Sequence, residues 1–251
     1  MTRAVFLDFD GVLFDTVKEA YIICKLAENK GFSIAEASFQ DTEYKLFKEY
    51  RYLIAHAWEY QALLAVIKKY LNQEITDCEA EFLQASKTLD PYKSEAYEKN
   101  YFRQRTILRE SNQEKWLEFN EPYQFLYDIA RNIENYLEQV YIITTKDKPA
   151  VLDLFLSRCG LLNRCKVYDK DSCRKYNTKG GLIANLMDKN KYLRGLYIDD
   201  CLLHLKSAQY LQNVECYLAS WGYTARNQEG ISQDEAVKKI NDFFRGQQCM
   251  D

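Results

Sequence analysis

The sequence predicts an α/β protein, a doubly wound parallel sheet interrupted by a long helical insertion. The first observation behind this prediction is an apolar run near the start of the chain that ends in Asp8 and Asp10, the pattern of a short buried strand. The second is a regular alternation of strand and helix patterns from residue 123 onward. The third is a segment of about a hundred residues between them that has helical periodicity and no convincing strand.

The composition is that of an ordinary globular protein and excludes several classes. The chain has 251 residues, 47% of them hydrophobic and 28% charged, enough for one large α/β domain or a core with a smaller insert. Its net charge of −3 gives no electrostatic reason to expect nucleic acid, and no apolar run approaches the ~20 residues of a membrane span. We therefore expect neither nucleic acid nor membrane as a partner, and the oligomeric state stays open.

The cysteines and the start of the chain bear on location. Eight cysteines are scattered without a Cys-x-x-Cys pair, so the sequence indicates neither a zinc site nor a disulfide framework. Met1-Thr2-Arg3 leads straight into the first predicted strand and leaves no room for a signal peptide. We therefore expect reduced thiols and a cytoplasmic location.

The first predicted strand ends in two acidic residues separated by one position. Asp8 and Asp10 follow the apolar run, and Gly11 allows the chain to turn sharply after them. Ligands of open α/β sheets gather at the carboxyl ends of strands, so both carboxylates are placed where chemistry usually occurs. Carboxylates this close repel each other unless a cation or a shared proton relieves them. The alternative is a solvated strand end with incidental acids.

The insertion begins directly after Thr16. Helical periodicity follows in residues 17–27, 44–70 and 97–117, and Asp90-Pro91 marks a break between helices. A single strand cut off from the rest of a sheet in this way indicates an insertion, not a tandem pair of domains. We predict a sheet core of residues 1–16 and 123–251 and a helical domain of residues 17–122.

The second half of the chain supplies the remaining strands and their crossover helices. Strands are predicted at residues 140–143, 165–168, 196–198 and 215–218. Helices are predicted at residues 123–138, 149–158, 181–189 and 202–211. Strict alternation of this kind is typical of a parallel sheet with helices on both faces.

The string Asp8-Phe9-Asp10-Gly11-Val12-Leu13-Phe14-Asp15-Thr16 resembles the first motif of the haloacid dehalogenase superfamily, in its phosphoglycolate-phosphatase-like branch with a helical cap. The resemblance implies a Rossmann-like core in which Asp8 attacks phosphorus and Asp10 acts as general acid and then base. Attack by a carboxylate forms an aspartyl-phosphate and divides one difficult step into two easier ones. The dehalogenases of the superfamily lack the second aspartate, so Asp10 favours phosphoryl transfer.

The second and third motifs of the family also have matches in this sequence, and these motifs are less specific than the first. Thr144, with Thr145 and Lys146 after it, stands at the end of the strand 140–143, where a hydroxyl of the family binds a phosphoryl oxygen. Lys179 stands where the family places a lysine that neutralises phosphate and nucleophile together. Thr144, Thr145, Lys179 and Gly11 are thus the implied phosphate-binding residues, with Lys170, Arg174 and Lys175 as neighbouring alternatives to Lys179.

The strand 196–198 ends in a second acidic pair, Asp199-Asp200. The resemblance implies that Asp200 is the principal ligand of Mg²⁺, together with Asp8, the backbone carbonyl of Asp10, and Asp199, which takes a glycine position of the family. Carboxylates, carbonyls and water are the ligands that Mg²⁺ prefers. His204 departs from the family, where many members have an aspartate, and we expect it to be a hydrogen-bonding neighbour or a helix residue and not a ligand.

The resemblance covers residues 3–16 and 120–225. The predicted helical cap between them says less about function. Trp221-Gly222-Tyr223 resembles a segment found after the last strand in phosphoglycolate-phosphatase-like members, and it indicates no catalytic role. Cationic side chains of the cap could bind an anionic substrate, because arginine forks match phosphate and carboxylate geometry. These candidates are Arg51, His56, Arg103, Arg105 and Arg109, and ordinary solvated helix faces are the alternative.

The resemblance as a whole implies a magnesium-dependent phosphatase that hydrolyses a small phosphomonoester, such as a sugar or polyol phosphate, through an aspartyl-phosphate. Two alternatives stay open. A phosphomutase of the same fold would use the same four motifs, and a non-catalytic binding protein would retain the fold without turnover.

Overall fold

The computed structural model of the protein describes residues 2–29, 31–160 and 165–248. The chain divides into two compact units. The first consists of Met1–Asp15 and Glu121–Asp251, and the second of Thr16–Asn120. Among the described residues, no helix combines the length and the apolar character that crossing a membrane requires.

The first unit is built on five parallel strands. In chain order these strands are β1 (Arg3–Leu7), β4 (Val140–Ile143), β5 (Lys166–Tyr168), β6 (Arg194–Asp199) and β7 (Val214–Leu218). In space their order is β5-β4-β1-β6-β7, so β1 lies at the centre between the strands that carry the other predicted motifs. All residues of β1 and β4 are buried, as expected of parallel strands covered on both faces.

Helices cover both faces of this sheet. Its helices are α7 (Gln124–Asn132), α8 (Lys148–Arg158), α9 (Lys170–Lys175), α10 (Lys179–Lys189), α11 (Leu202–Lys206) and α12 (Gln233–Gln248). Ala4 and Phe6 of β1 belong to the core that includes Leu182 and Leu186 of α10. Successive strand residues point to opposite faces, and Arg3, on the other face, donates a hydrogen bond to the carbonyl of Phe243 in α12. The predicted doubly wound parallel α/β fold is confirmed.

Some element boundaries differ from the predicted ones for local reasons. The helix predicted at 202–211 ends at Lys206, where the hydroxyl of Ser207 donates to the carbonyl of His204 at 2.6 Å and competes with the helical ladder. The helix predicted at 123–138 is α7 followed by a 3₁₀ helix, Glu134–Gln139. The C-terminal helix α12 was not predicted.

A short antiparallel ribbon was also not predicted. It pairs β2 (Phe14–Asp15) with β3 (Glu121–Pro122), so the two points where the first unit's chain is interrupted lie side by side. Each strand has only two residues, too few for a periodicity of two to be read from sequence.

The second unit is helical. Its helices are α1 (Val17–Glu28), α2 (Thr42–Glu49), α3 (Tyr60–Leu71), α4 (Cys78–Lys87), α5 (Pro91–Ser111) and α6 (Gln113–Glu118). No strand occurs among its described residues. Asp41, Asp77 and Asp90 cap the first turns of α2, α4 and α5, and Pro91 starts α5 at the position where a missing N–H costs nothing. Aromatic side chains fill its interior, among them Phe47, which stacks on Tyr60 with ring centroids 5.5 Å apart.

Candidate active site

The carboxyl ends of β1 and β6 bring the two predicted acidic pairs to one edge of the sheet. Leu7 is in register with Ile198, so Asp8 and Asp199 follow side by side. Both are buried, Asp199 completely. The Nζ atom of Lys179 lies 2.8 Å from Asp8 Oδ1 and 2.8 Å from Asp199 Oδ2. One ammonium therefore joins the first, third and fourth predicted motifs.

Lys179 reaches this position because α10 begins with it. Thr178 caps the helix by accepting a hydrogen bond from the N–H of Gly181. The next residue, Gly180, packs directly on the chain after α11, and a Cβ there would lie 1.8 Å from the carbonyl oxygen of Ser207. The three alternatives to Lys179 make other contacts. Arg174 and Lys175 are exposed, and the ammonium of Lys170 lies 2.8 Å from Asp171.

The two carboxylates on Lys179 titrate in opposite directions. Burial, followed by repulsion from Asp199, raises the pKa of Asp8 to about 7 despite the ammonium of Lys179. Burial alone would also raise the pKa of Asp199, but Lys179 and His204 outweigh it and lower that pKa well below its usual range. Burial lowers the pKa of Lys179, but the nearby carboxylates of Asp199 and Asp8 raise it by more, so the net shift of that pKa is upward.

Asp199 is surrounded by hydrogen-bond donors. Besides Lys179, it accepts hydrogen bonds from the hydroxyl of Tyr197 and from the N–H of Cys201, the latter at 2.8 Å. His204 Nδ1 lies 3.4 Å from its Oδ1. Asp8, Asp199 and His204 are close enough to share one ion, but the ammonium of Lys179 already contacts both carboxylates. Asp199 therefore anchors Lys179, and its role as a metal ligand stays a prediction.

Asp200 has different surroundings from its neighbour. Its Oδ2 accepts a hydrogen bond of 2.6 Å from the backbone N–H of Tyr223, an uncharged donor. The carboxylate lies against Gly11, where a Cβ would be 1.9 Å from Asp200 Oδ2 and where φ is +84°. The missing side chain of Gly11 makes room for Asp200, and the role of Gly11 in phosphate binding stays a prediction.

The segment Ser220–Tyr223, for which no catalytic role was predicted, holds Asp200 in place. A Cβ on Gly222 would lie 2.3 Å from the carbonyl oxygen of Gly11 and 2.5 Å from Asp200 Cβ. The indole N–H of Trp221 donates to the carbonyl of Val12 at 3.0 Å, and the hydroxyl of Tyr223 donates to Asp15 at 2.9 Å. The segment therefore fastens the fourth motif to the turn that follows the first.

Asp10 is paired with a lysine that the sequence analysis did not assign. Lys146 Nζ lies 3.1 Å from Asp10 Oδ1, and the lysine is 1% exposed. The signal was present in the Thr-x-Lys spacing of the second motif, but a lysine after a strand is usually solvated. Its burial beside a carboxylate is what identifies it.

The two threonines of the second motif differ. Thr144 is fully buried, and its Oγ1 accepts a hydrogen bond of 3.0 Å from the N–H of Lys146. Its own N–H donates to the carbonyl of Tyr168 in β5, which fixes the strand end. Thr145 is half-buried, and no described contact links it to the carboxylates.

The described carboxylates of the site outnumber its described lysines. Asp8, Asp10, Asp199 and Asp200 carry four negative charges when ionised, while Lys146 and Lys179 supply two positive ones, and His204, 3.4 Å from Asp199, adds a third when protonated. The raised pKa of Asp8 is the expected sign of an incompletely compensated carboxylate. Asp8, Asp200 and the carbonyl of Asp10 are oxygen donors of the kind that Mg²⁺ takes. The described group whose ligand atoms lie within 4.8 Å of one another consists of Asp8, Asp199 and His204.

In the helical unit, Arg105 has a structural partner. Its Nε donates to Glu19 Oε1 at 2.5 Å and its Nη2 to Glu19 Oε2 at 3.1 Å, while Glu19 also accepts from the indole of Trp116 at 3.1 Å. Arg105 is 4% exposed and Glu19 is fully buried. The guanidinium of Arg105 therefore contributes to the core of this unit, and the role of Arg105 in substrate binding stays a prediction.

The other candidates of the helical unit are placed variously. Arg51 donates to the carbonyl of Ile54 at 2.9 Å, and its guanidinium lies over the ring of Tyr60. His56 is exposed and stacks on Trp58, with ring centroids 6.0 Å apart. Arg103 is exposed, and Arg109 is half-buried with its Nη2 3.6 Å from Glu110. Their role in substrate binding stays a prediction.

Comparison with known proteins finds no matching family model and no matching curated protein. Solved structures match over nearly the whole chain. A haloacid dehalogenase-like hydrolase from Streptococcus pneumoniae is 14% identical, with a TM-score of 0.57, over 96% of this chain and 98% of that one. A protein described as a predicted phosphatase from Clostridium acetobutylicum is 16% identical, with a TM-score of 0.59, over 96% and 99%. One described as a predicted phosphoglycolate phosphatase from Haemophilus somnus is 12% identical, with a TM-score of 0.61, over 94% and 97%.

These neighbours share the fold of the chain over nearly its whole length. The fold class predicted from the sequence and the resemblance that the first motif carries are confirmed at the level of the fold. The chain has the fold of the haloacid dehalogenase-like hydrolases.

Proposed function

We propose that this protein is a magnesium-dependent phosphatase that hydrolyses a small phosphomonoester through an aspartyl-phosphate. The observation that supports this most is the contact of Lys179 with both Asp8 and Asp199 at adjoining strand ends. A nucleophilic carboxylate beside a fixed cation suits attack on an anionic phosphoryl group, because the cation offsets the repulsion between them. Asp10, two positions on, supplies the acid and base that the two half-reactions need.

In the first half-reaction an oxygen of the Asp8 carboxylate forms a bond to phosphorus as the bond from phosphorus to the leaving oxygen breaks. Asp10 gives its proton to that oxygen, so the product leaves as a neutral alcohol. Thr144 and Lys179 hold the equatorial oxygens of the phosphoryl group. When bound to Asp8, Asp200 and the Asp10 carbonyl, Mg²⁺ would neutralise charge on the phosphate.

In the second half-reaction water attacks the phosphorus of the aspartyl-phosphate. Asp10, now a carboxylate, takes a proton from the water, and the bond between phosphorus and the Asp8 oxygen breaks. Inorganic phosphate and the free carboxylate of Asp8 result, with Asp10 protonated for the next turnover. Atoms and protons balance over the two steps, since one water is consumed for each ester.

The substrate class belongs to the same proposal. A small phosphorylated compound, such as a sugar or polyol phosphate, suits a site whose sheet unit offers groups only for the phosphate. We propose that the helical unit selects among such esters, with the exposed His56 and Arg103 as its first candidates. A reducing location such as the cytoplasm is supported by the seven described cysteines, all of which are free thiols.

The test is release of inorganic phosphate from a panel of phosphomonoesters, with Mg²⁺ and with a chelator. We expect steady release with Mg²⁺ and no added bisphosphate, and none with chelator. Asp8→Asn should lower turnover by at least about 10³-fold, because the nucleophile is lost. Asp171→Asn, an exposed aspartate of α9, should leave turnover unchanged. Absence of turnover over the panel, or full activity in Asp8→Asn, would contradict the proposal.

A further inference from the structure

We propose that Lys146 is a positioning residue for Asp10, joining the acid of the reaction to the threonine that holds the phosphoryl group. The proposal rests on the function proposed above and adds a residue to it. Two observations support it: Lys146 makes one contact through its side chain and another through its backbone.

The side chain of Lys146 is directed to Asp10. Nζ lies 3.1 Å from Asp10 Oδ1, and the side chain of the lysine is fully buried while that of Asp10 is 16% exposed. Lys146 Nζ also lies 6.0 Å from the centre of the Phe9 ring. Placing an ammonium here costs desolvation, so the contact with Asp10 must compensate for that cost.

The backbone of Lys146 is directed to Thr144. Its N–H donates to Thr144 Oγ1 at 3.0 Å, and its carbonyl accepts from the N–H of Lys170 at 3.2 Å. Because the hydroxyl of Thr144 accepts this hydrogen bond, its own proton can be directed to a phosphoryl oxygen. A shift of Lys146 would therefore move both the acid and the phosphate-binding hydroxyl.

The chemistry gives the ammonium a task in the first half-reaction. As the proton passes from Asp10 to the leaving oxygen, negative charge develops on the Asp10 carboxylate. An ammonium already fixed beside that carboxylate stabilises the charge without reorganisation. The proton travels from Asp10 to the leaving oxygen, the electron pair of the broken bond stays on that oxygen, and Lys146 keeps its own protons.

Lys146 and Lys179 thus have separate tasks. Lys179 contacts Asp8 and Asp199, the nucleophile and its neighbour, while the described ion pair of Lys146 is with Asp10. A lysine that served only to attract phosphate would help every phosphomonoester equally. A lysine that acts through the acid helps most where the leaving oxygen needs a proton.

The experiment compares two substrates that differ in this need. p-Nitrophenyl phosphate leaves as a stable phenolate, whereas glycerol 3-phosphate leaves as an alkoxide that must be protonated. kcat/KM reports the first irreversible step, in which Asp8 is phosphorylated. We expect Lys146→Met to lower kcat/KM for glycerol 3-phosphate, or the best alkyl phosphate of the panel, by about 10²-fold and for the aryl ester by less than about 10-fold.

Three variants make the result specific. Lys146→Arg should recover part of the alkyl activity, because it restores a cation. Asp10→Asn should show the same selective loss, and adding Lys146→Met to it should cost little more, since both act through one carboxylate. Thr144→Val removes a hydroxyl proposed to contact the phosphoryl group itself. It should therefore lower kcat/KM for both substrates by the same factor.

The outcomes separate the two proposals. Equal losses on both substrates in Lys146→Met, with a melting temperature unchanged from wild type, would overturn the positioning role, as would additive losses in the double variant. If Lys146→Met unfolds, Lys146→Gln, which keeps a polar amide, is measured in its place. A wild-type protein that hydrolyses neither ester would contradict the proposed function itself.

Discussion

Each unit of this protein contains a buried cluster of charged side chains, and the two clusters differ in how completely their charges are matched. In the helical unit one carboxylate, Glu19, faces one guanidinium, Arg105, and the indole of Trp116 supplies a further donor. In the sheet unit Asp8 and Asp199 share the ammonium of Lys179, and His204 lies 3.4 Å from Asp199. Both clusters are inaccessible to solvent, so burial alone does not distinguish them.

The difference teaches how to separate a structural ion pair from a candidate site. A matched pair needs no further ligand, and removing one member leaves a buried charge that nothing compensates. In an unmatched cluster the ionised form of a buried carboxylate is unfavourable. The pKa of Asp8 is therefore raised to about 7. Such a cluster is complete only when a cation or substrate binds, which is why perturbed carboxylates collect at functional sites.

The largest expected effect is on stability in the helical unit. Arg105→Met should lower the free energy of unfolding by about 3–5 kcal/mol, because Glu19 is left buried and unpaired. Arg103→Met, in the same helix and exposed, is the matched control and should change it by less than about 0.5 kcal/mol. Urea unfolding followed by circular dichroism measures both. Similar losses in the two variants would remove the distinction between the clusters.

The opposite sign is expected in the sheet unit. In the metal-free protein Asp8→Asn should raise the free energy of unfolding above pH 7, although it abolishes turnover. The unfolded chain releases the Asp8 proton near its ordinary pKa of 3.8, whereas the folded protein keeps it until about 7. The folded state therefore binds more protons between these values, and the contribution of Asp8 to stability falls as pH rises through that window.

The measurement is the difference in unfolding free energy between wild type and Asp8→Asn, in chelator, from pH 4 to pH 8. It should grow in favour of the variant up to about pH 7 and then level off. Asp171→Asn, which removes an exposed aspartate, should show no comparable slope. A difference that stays flat over this range would show that Asp8 is compensated as fully as Glu19.

The sequence contained the first and fourth motifs and the positions of the strands along the chain, because these depend on local patterns. Asp8, Asp10, Asp199 and Asp200 each follow a run of buried strand residues, and parallel strands end at one edge of a sheet. Lys179 could be placed by its distance along the chain, and the structure brings it to Asp8 as the resemblance implied.

What the sequence could not provide is which distant side chains pair. Arg105 and Arg103 look alike on paper, and only the packing of α5 against α1 directs one of them to Glu19. Gly11 suggested a turn, but its contact with Asp200 joins residues far apart in the chain. The roles of Lys146 and Tyr223 likewise depend on partners more than a hundred residues away, which no local pattern encodes.

The smallest expected effect concerns the segment Ser220–Tyr223. Tyr223→Phe removes the hydrogen bond to Asp15 and leaves the backbone N–H on Asp200, so it should cost about 0.5–1.5 kcal/mol of stability. The rise in melting temperature that Mg²⁺ produces by binding the folded state should stay as in wild type. Gly222→Ala is the contrasting variant, because its Cβ would meet Gly11 and Asp200 and displace the carboxylate. It should fold and yet lose most of the Mg²⁺-induced rise. If Tyr223→Phe loses that rise as completely as Gly222→Ala, the hydroxyl of Tyr223 and not its backbone N–H supports Asp200. The position of Asp200 would then depend on a side-chain hydrogen bond, as that of Glu19 depends on the side chain of Arg105.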